Sequence, residues 1–285
     1  MTGTATLLHH DGTEEIPRFL GAPGAALFGC LHRPAGVARS LVVLCSSIGA
    51  EWKYNYRREV LLARRLAERG VAAVRFHYLG SGNSDDGSPD FAALVAQARQ
   101  VEAWGRAESG ATRVGYFGAR FGALVAAAAS ADTDMPLTAW GAPGTGAGYF
   151  RELLRIERVG RLAEGSAAFA EAEEPRVRLA RGEPADVVGY PLPPELYDSA
   201  QSLVFTELAG TAPRDVCLVE IGGDGSARRA AESLTERGLR VHASRLVEDR
   251  SWWLHDADWR PDETRQTVRN MIEETVDWFL TVLPT

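Results

Sequence analysis

The chain has 285 residues, 45% of them hydrophobic and 24% charged, which suits one large α/β domain with an inserted cap. Its 31 basic and 38 acidic residues give a net charge of −7 with no basic block, which argues against nucleic acid as a partner. No apolar run approaches the ~18 residues that a membrane span needs, so no membrane association is expected. Met1 to Pro17 is polar and acidic without an apolar signal core, and a cytoplasmic protein is expected. Lys53 is the only lysine, and with the many alanines this fits the codon bias of a GC-rich bacterial genome.

Arg18 to Leu31 reads as two short strands around a turn at Gly21 to Gly24. Leu41 to Ser46 is an apolar run typical of a strand buried on both faces. Arg57 to Arg69 has helical spacing and stops at Gly70. Val71 to Phe76 is the fourth strand, followed by the polar loop Gly80 to Gly87. Asp90 reads as the N-cap of a helix running to about Glu108. Arg113 to Phe117 is the fifth strand, Arg120 to Ser130 an Ala-rich helix, and Leu137 to Trp140 the sixth strand.

This alternation predicts an α/β fold: a mostly parallel twisted sheet with helices on both faces. The rhythm breaks at Tyr149 to Pro213, a charged stretch of helix and loop, which is the natural place for a cap after the sixth strand. The alternation resumes with a strand at Val216 to Ile221, a helix at Ala227 to Arg237, a strand at Arg240 to Leu246 and a final helix from Asp262 to Val282. The expected organisation is thus a core of residues 1–148 and 214–285 around an insertion of residues 149–213. Cys30, Cys45 and Cys217 each lie in apolar runs and are expected to be buried thiols. No pair of cysteines has metal-ligand spacing, nor do His9, His10, His32 and His242, so no metal and no cofactor are expected.

Gly118-Ala119-Arg120-Phe121-Gly122 has the strand–turn–helix layout of a nucleophile elbow, G-x-S-x-G, with arginine at the serine position. A guanidinium stays protonated and cannot attack a carbonyl. The order of elements, this elbow, Cys45 to Glu51, Tyr54 to Arg58, the run Val74 to Ser84 and Val276 to Phe279 together resemble the α/β-hydrolase superfamily. The resemblance is strongest to a bacterial branch of serine-aminopeptidase-like proteins and of hydrolase-like proteins encoded beside exosortase and natural-product clusters. It covers about residues 18–150 and 187–282, and implies the α/β-hydrolase fold. The chain departs from the branch in several places. His77 stands where an Asp is usual, and Ser46-Ser47 where Pro-Pro is usual. The acid turn reads Gly222-Gly223-Asp224-Gly225, and His255 is the one candidate for the catalytic histidine.

Arg120 is expected to point into the pocket above a helix N-terminus. There it would hold a substrate carboxylate or phosphate, or else pair internally with Glu51 or Asp224. Glu51, His255 and Asp224 are the candidate catalytic groups, Glu51 alternatively serving as a partner for a nearby arginine. Phe121 and Ser47 would offer backbone amides to a carbonyl oxygen. Ser46, Ser47, His77, Trp140 and Trp252 are expected to line the pocket, with Tyr149, Phe150 and Trp253 as further aromatic walls. The bland readings stand beside these: loop hydroxyls, a structural histidine and core aromatics.

Three functions follow. The first is a non-hydrolytic protein that binds a carboxylate-bearing or carrier-linked biosynthetic intermediate, a small molecule or peptide, and isomerises, cyclises or epimerises it by proton transfer. The second is an ester, thioester or peptide hydrolase with a displaced nucleophile. The third is a catalytically dead partner protein.

Overall fold

The computed structural model describes residues 6–164, 173–223, 225–246 and 263–284. Strands β1 (Leu7–Leu8), β2 (Glu14–Leu20), β3 (Leu27–Arg33), β4 (Ser40–Cys45), β5 (Ala72–Phe76), β6 (Arg113–Ala119), β7 (Leu137–Trp140), β10 (Asp215–Ile221) and β11 (Arg240–Leu246) form one sheet. Its order is β1-β2-β3-β5-β4-β6-β7-β10-β11. The pairings from β5 through β11 are parallel, and those joining β1, β2, β3 and β5 are antiparallel. Every residue of β4 is buried, and Val43 sits between Val74 of β5 and Tyr116 of β6. A β-branched apolar run of this kind belongs in the middle of a sheet covered on both faces.

The helices that follow the core strands are α1 (Gly49–Glu68), α2 (Phe91–Ser109), α3 (Phe121–Ala129), α8 (Ser226–Glu236) and α9 (Glu263–Val282). Asp90 does cap α2, its Oδ1 accepting the Ala93 N–H at 2.8 Å, and Gly110 ends that helix with a φ of 75°. Between β7 and β10 lie α4 (Gly146–Glu164), α5 (Pro175–Ala180), α6 (Pro194–Ser199) and α7 (Phe205–Leu208). The same insertion holds a hairpin of β8 (Ala185–Val187) and β9 (Tyr190–Leu192). Among the described residues no helix is long and apolar enough to cross a membrane.

Three elements differ from the sequence reading. A two-residue strand, β1, precedes the expected first strand, and the insertion contains the unexpected β8–β9 hairpin. Helix α1 starts at Gly49, well before the expected Arg57. Its first half carries the polar residues Glu51 and Asn55 on the side that faces the sheet, and both are fully buried. A search for apolar periodicity does not find a helix whose inward face is polar.

Candidate active site

The strand order reverses between β4 and β6, the point where open α/β sheets leave a crevice at the carboxyl ends of their strands. Two loops meet there. One leaves β4 through Ser46, Ser47 and Ile48 into α1, and the other leaves β6 through Arg120 into α3.

Arg120 holds φ 52° and ψ −121°, a backbone conformation that non-glycine residues rarely adopt. The glycines on either side make this turn possible. A Cβ on Gly118 would lie 2.3 Å from the Gly122 carbonyl oxygen, and one on Gly122 only 2.1 Å from that of Cys45. The Arg120 N–H donates to the Trp140 carbonyl at 2.9 Å, which fixes the turn to β7. The result is a tight strand-to-helix turn with its side chain at the mouth of α3.

The Arg120 side chain is held by two carboxylates. Its Nε donates to Glu51 Oε1 at 3.2 Å, and a terminal nitrogen donates to Glu152 Oε2 at 2.7 Å. The guanidinium carbon also lies 5.7 Å from the Tyr149 ring centroid, within cation–π range. Glu51 occupies the first turn of α1, where the helix dipole favours a negative charge, and Glu152 comes from α4 of the insertion. Burial works against the charge on Arg120, but Glu51 and Glu152 outweigh it, so its pKa is raised and the cation is secure.

Glu51 is fully buried, and burial pushes its carboxyl up to about 7 against the pull of Arg120. Glu51 Oε2 and the Tyr149 hydroxyl lie close enough to shift each other's ionisation. Both are buried, and neither makes a hydrogen bond of normal geometry. The site therefore contains a fixed cation, a carboxyl able to take or give a proton near neutrality, and a phenol beside that carboxyl.

The serines of the β4 loop are engaged elsewhere. Ser46 Oγ donates to Glu59 Oε2 at 2.6 Å. Ser47 Oγ donates to the Ala119 carbonyl at 3.1 Å and accepts from Asn55 Nδ2 at 3.2 Å. The Ser47 N–H faces the Glu59 carboxyl and helps hold down a pKa that burial raises to about 7. Cys45 is fully buried and its thiol pKa is pushed far up by desolvation. A nucleophile must be accessible and activated, and these three groups lie in the interior.

His77, just past β5, is buried among Phe28, Trp52 and Tyr56. Its Nδ1 accepts the Asn83 N–H at 2.9 Å, and burial, with help from Arg75, lowers its pKa to about 4. It is a neutral ring that pins the Gly80–Gly87 loop, and its contacts are with that loop, with α1 and with Phe28 of β3. Trp140 faces the other side of the sheet, where its fully buried indole donates to Thr275 Oγ1 of α9 at 2.8 Å. Only its carbonyl reaches the elbow. Phe121 packs against Phe91, Tyr149 and Phe150. Asp224, Trp252, Trp253 and His255 lie outside the described residues.

Sequence reasoning missed Glu152 and Glu59. Glu152 is one charged residue among many on an amphipathic helix. Its spacing of three from Tyr149 places both on one face of α4, which is the signal that was there to read. Glu59 follows Glu51 and Asn55 at spacings of four, an inward polar stripe on α1.

Glu15, Cys30 and His32 offer ligand atoms within 4.8 Å of one another on β2 and β3. Their hydrogen bonds fit an internal network better than a metal. Arg64 donates to Glu15 at 2.6 Å, and Arg75 donates to His32 Nε2 at 3.0 Å. An accepting Nε2 leaves the imidazole proton on Nδ1, the atom a metal would need.

Several solved structures that resemble this chain are hydrolases. Est1E from Butyrivibrio proteoclasticus, determined with ferulic acid bound, superposes with a TM-score of 0.64 at 14% identity, over 93% of this chain and 98% of its own. A thermostable carboxyl esterase from Bacillus coagulans in complex with glycerol gives 0.65 at 13% identity, over 93% and 98%. Dienelactone hydrolase from Anabaena variabilis gives 0.53 at 15% identity, over 95% and 99%. The chain has the α/β-hydrolase fold. No protein-family model matches the sequence, and no curated protein does. Within the α/β-hydrolase fold the elbow is the place of the nucleophile, and in this chain it carries a guanidinium neutralised by two carboxylates.

Proposed function

We propose that this α/β-hydrolase-fold protein acts on a carboxylate-bearing or carrier-linked intermediate without an acyl-enzyme, by proton transfer of the isomerase, cyclase or epimerase kind. Glu51 beside Arg120 carries the reading: a buried carboxyl, its pKa lifted to about 7, between a permanent cation and the Tyr149 hydroxyl. Glu152 is the replaceable partner. Its side chain is 38% exposed, whereas that of Glu51 is fully buried, so an incoming carboxylate exchanges with Glu152 at the outer nitrogen of Arg120. Glu51 and Tyr149 then stand beside the bound anion to move a proton. A place in bacterial natural-product biosynthesis rests on the family resemblance alone.

A second reading is a binding partner without chemistry, favoured by the double pairing of Arg120. Glu152→Gln separates the two. Removing the exchangeable carboxylate is expected to tighten binding of a probe carboxylate such as phenylacetate, measured by calorimetry, at least several-fold. Unchanged or absent binding would leave Arg120 a structural ion pair and sink the catalytic reading. Hydrolysis through Ser46 or Ser47 is disfavoured by their burial and their hydrogen bonds.

A further inference from the structure

A second basic feature lies on the insertion. Arg151, Arg155 and Arg158 follow one another at spacings of four and three on α4, so they share one face over roughly 10 Å of helix. Arg176 of α5 faces them across a cavity of about 370 Å³, with Leu154, Pro175 and Tyr197 as its apolar part. That volume lies in the range of about 300–1,000 Å³ that small-molecule sites occupy.

The charge of this cavity is unbalanced. Many other arginines among the described residues are ion-paired: Arg33 with Glu14, Arg65 with Glu273, Arg106 with Glu102, Arg240 with Asp215. Arg151, Arg155, Arg158 and Arg176 are exposed, and none forms an ion pair or side-chain hydrogen bond among the described residues. Two acids border the cavity. Glu157 is committed to the Val188 N–H at 2.6 Å, and Glu174 sits at the start of α5. Like charges at helical spacing destabilise a helix, so a row of three asks for a counter-charge.

We infer that this groove is a binding site for a phosphate-bearing small molecule, an organic phosphate or diphosphate whose apolar portion rests on Leu154 and Tyr197. Planar guanidinium forks match phosphate oxygens in pairs, and several of them across 10 Å suit a ligand with more than one anionic oxygen group. The groove is independent of the elbow site, though contacts run between them. Tyr197 packs on Phe150 at 5.4 Å between centroids, and Phe150 packs on Phe121, the residue after Arg120, at 5.6 Å. Arg151 also adjoins Glu152 in the chain.

The test uses the full chain with pyrophosphate and, separately, adenosine diphosphate, titrated by calorimetry at fixed ionic strength. Wild-type protein is expected to bind at least one of them saturably, with affinity falling tenfold or more in Arg155→Ala/Arg176→Ala. Both residues are exposed, so the variant should keep its melting temperature. Arg228→Ala, on the exposed face of α8, is the control and should bind as wild type does. Absence of saturable binding, equal binding by the double variant, or binding only of polyglutamate or of anionic phospholipid vesicles would each overturn the proposal. Loss of elbow function in Arg120 variants would leave it standing, since phosphate binding is read without catalysis.

Discussion

Arg120 Nε meets Glu51 Oε1 at 3.2 Å across the point where the strand order reverses, so the turn between β6 and α3 and the first turn of α1 are joined by charge. A buried charge left alone is costly, and removing one member of such a pair costs about 3–5 kcal/mol. That cost shrinks when the survivor can take up a proton.

Arg120→Met should therefore destabilise the protein in a pH-dependent way. Without the cation, the Glu51 pKa rises beyond the value of about 7 that it has beside Arg120. The folded variant then holds a proton that the unfolded chain has released, and its stability falls as pH rises above the ordinary carboxylate range. Urea unfolding should show a loss of about 3–5 kcal/mol at pH 8 and a clearly smaller loss at pH 6. Equal losses would mean that Glu51 does not respond to Arg120.

A fluorophosphonate probe should leave the described serines of the β4 loop unmodified. Ser46 and Ser47 are 2% and 1% exposed, and each hydroxyl donates to an internal acceptor. Intact-mass and peptide mass spectrometry read the result. Stoichiometric labelling of either serine would replace the proton-transfer reading with a displaced-nucleophile hydrolase.

Gly122→Ala should abolish folding into this form. The new Cβ would sit 2.1 Å from the Cys45 carbonyl oxygen and 2.6 Å from that of Ser46, both backbone atoms of the β4 loop that cannot step aside. Soluble yield and melting temperature check it. A variant with unchanged melting temperature would show that the two loops are not in the close contact described.

The glycines of this turn were legible in the sequence because their spacing reflects a steric demand that acts locally. So were β4, β5, β6 and β7, whose apolar runs are buried on both faces, and the Asp90 cap, which needs only its own helix start. The partners of Arg120 were only half legible. Glu51 stood among the possibilities, but Glu152 is brought to the elbow by the insertion, and no local rule reports that. The first half of α1 escaped notice because Glu51, Asn55 and Glu59 put a polar stripe where a core-facing helix normally has an apolar one. Trp140 suggested a pocket wall by its place at the end of a strand. Strand alternation sends its side chain through to the α9 face.

Buried titratable groups on this stripe and beside it make stability depend on pH in two opposing ways. The Glu59 carboxyl is fully buried and its pKa is lifted by desolvation to about 7, against an ordinary value of 4.5. Between these values the folded state binds more protons than the unfolded one, so this group's contribution falls as pH rises. His77 is lowered to about 4 from 6.5, so the unfolded chain binds more protons in that window, and stability is lost as pH falls through it. Glu51, raised likewise to about 7, and His32, lowered by burial to about 3, add one slope of each sign, so wild-type stability should be nearly flat between pH 4.5 and 6.5. Glu59→Gln removes one slope and can still accept from Ser46. Relative to wild type it should gain on the order of 3 kcal/mol as pH rises from 4.5 to 7.5. His77→Asn should remove the opposite slope and gain relative to wild type as pH falls from 6.5 to 4. Urea titrations of the three proteins at pH 4.5, 6 and 7.5 decide it, and parallel curves would mean that neither group is titrated by its burial.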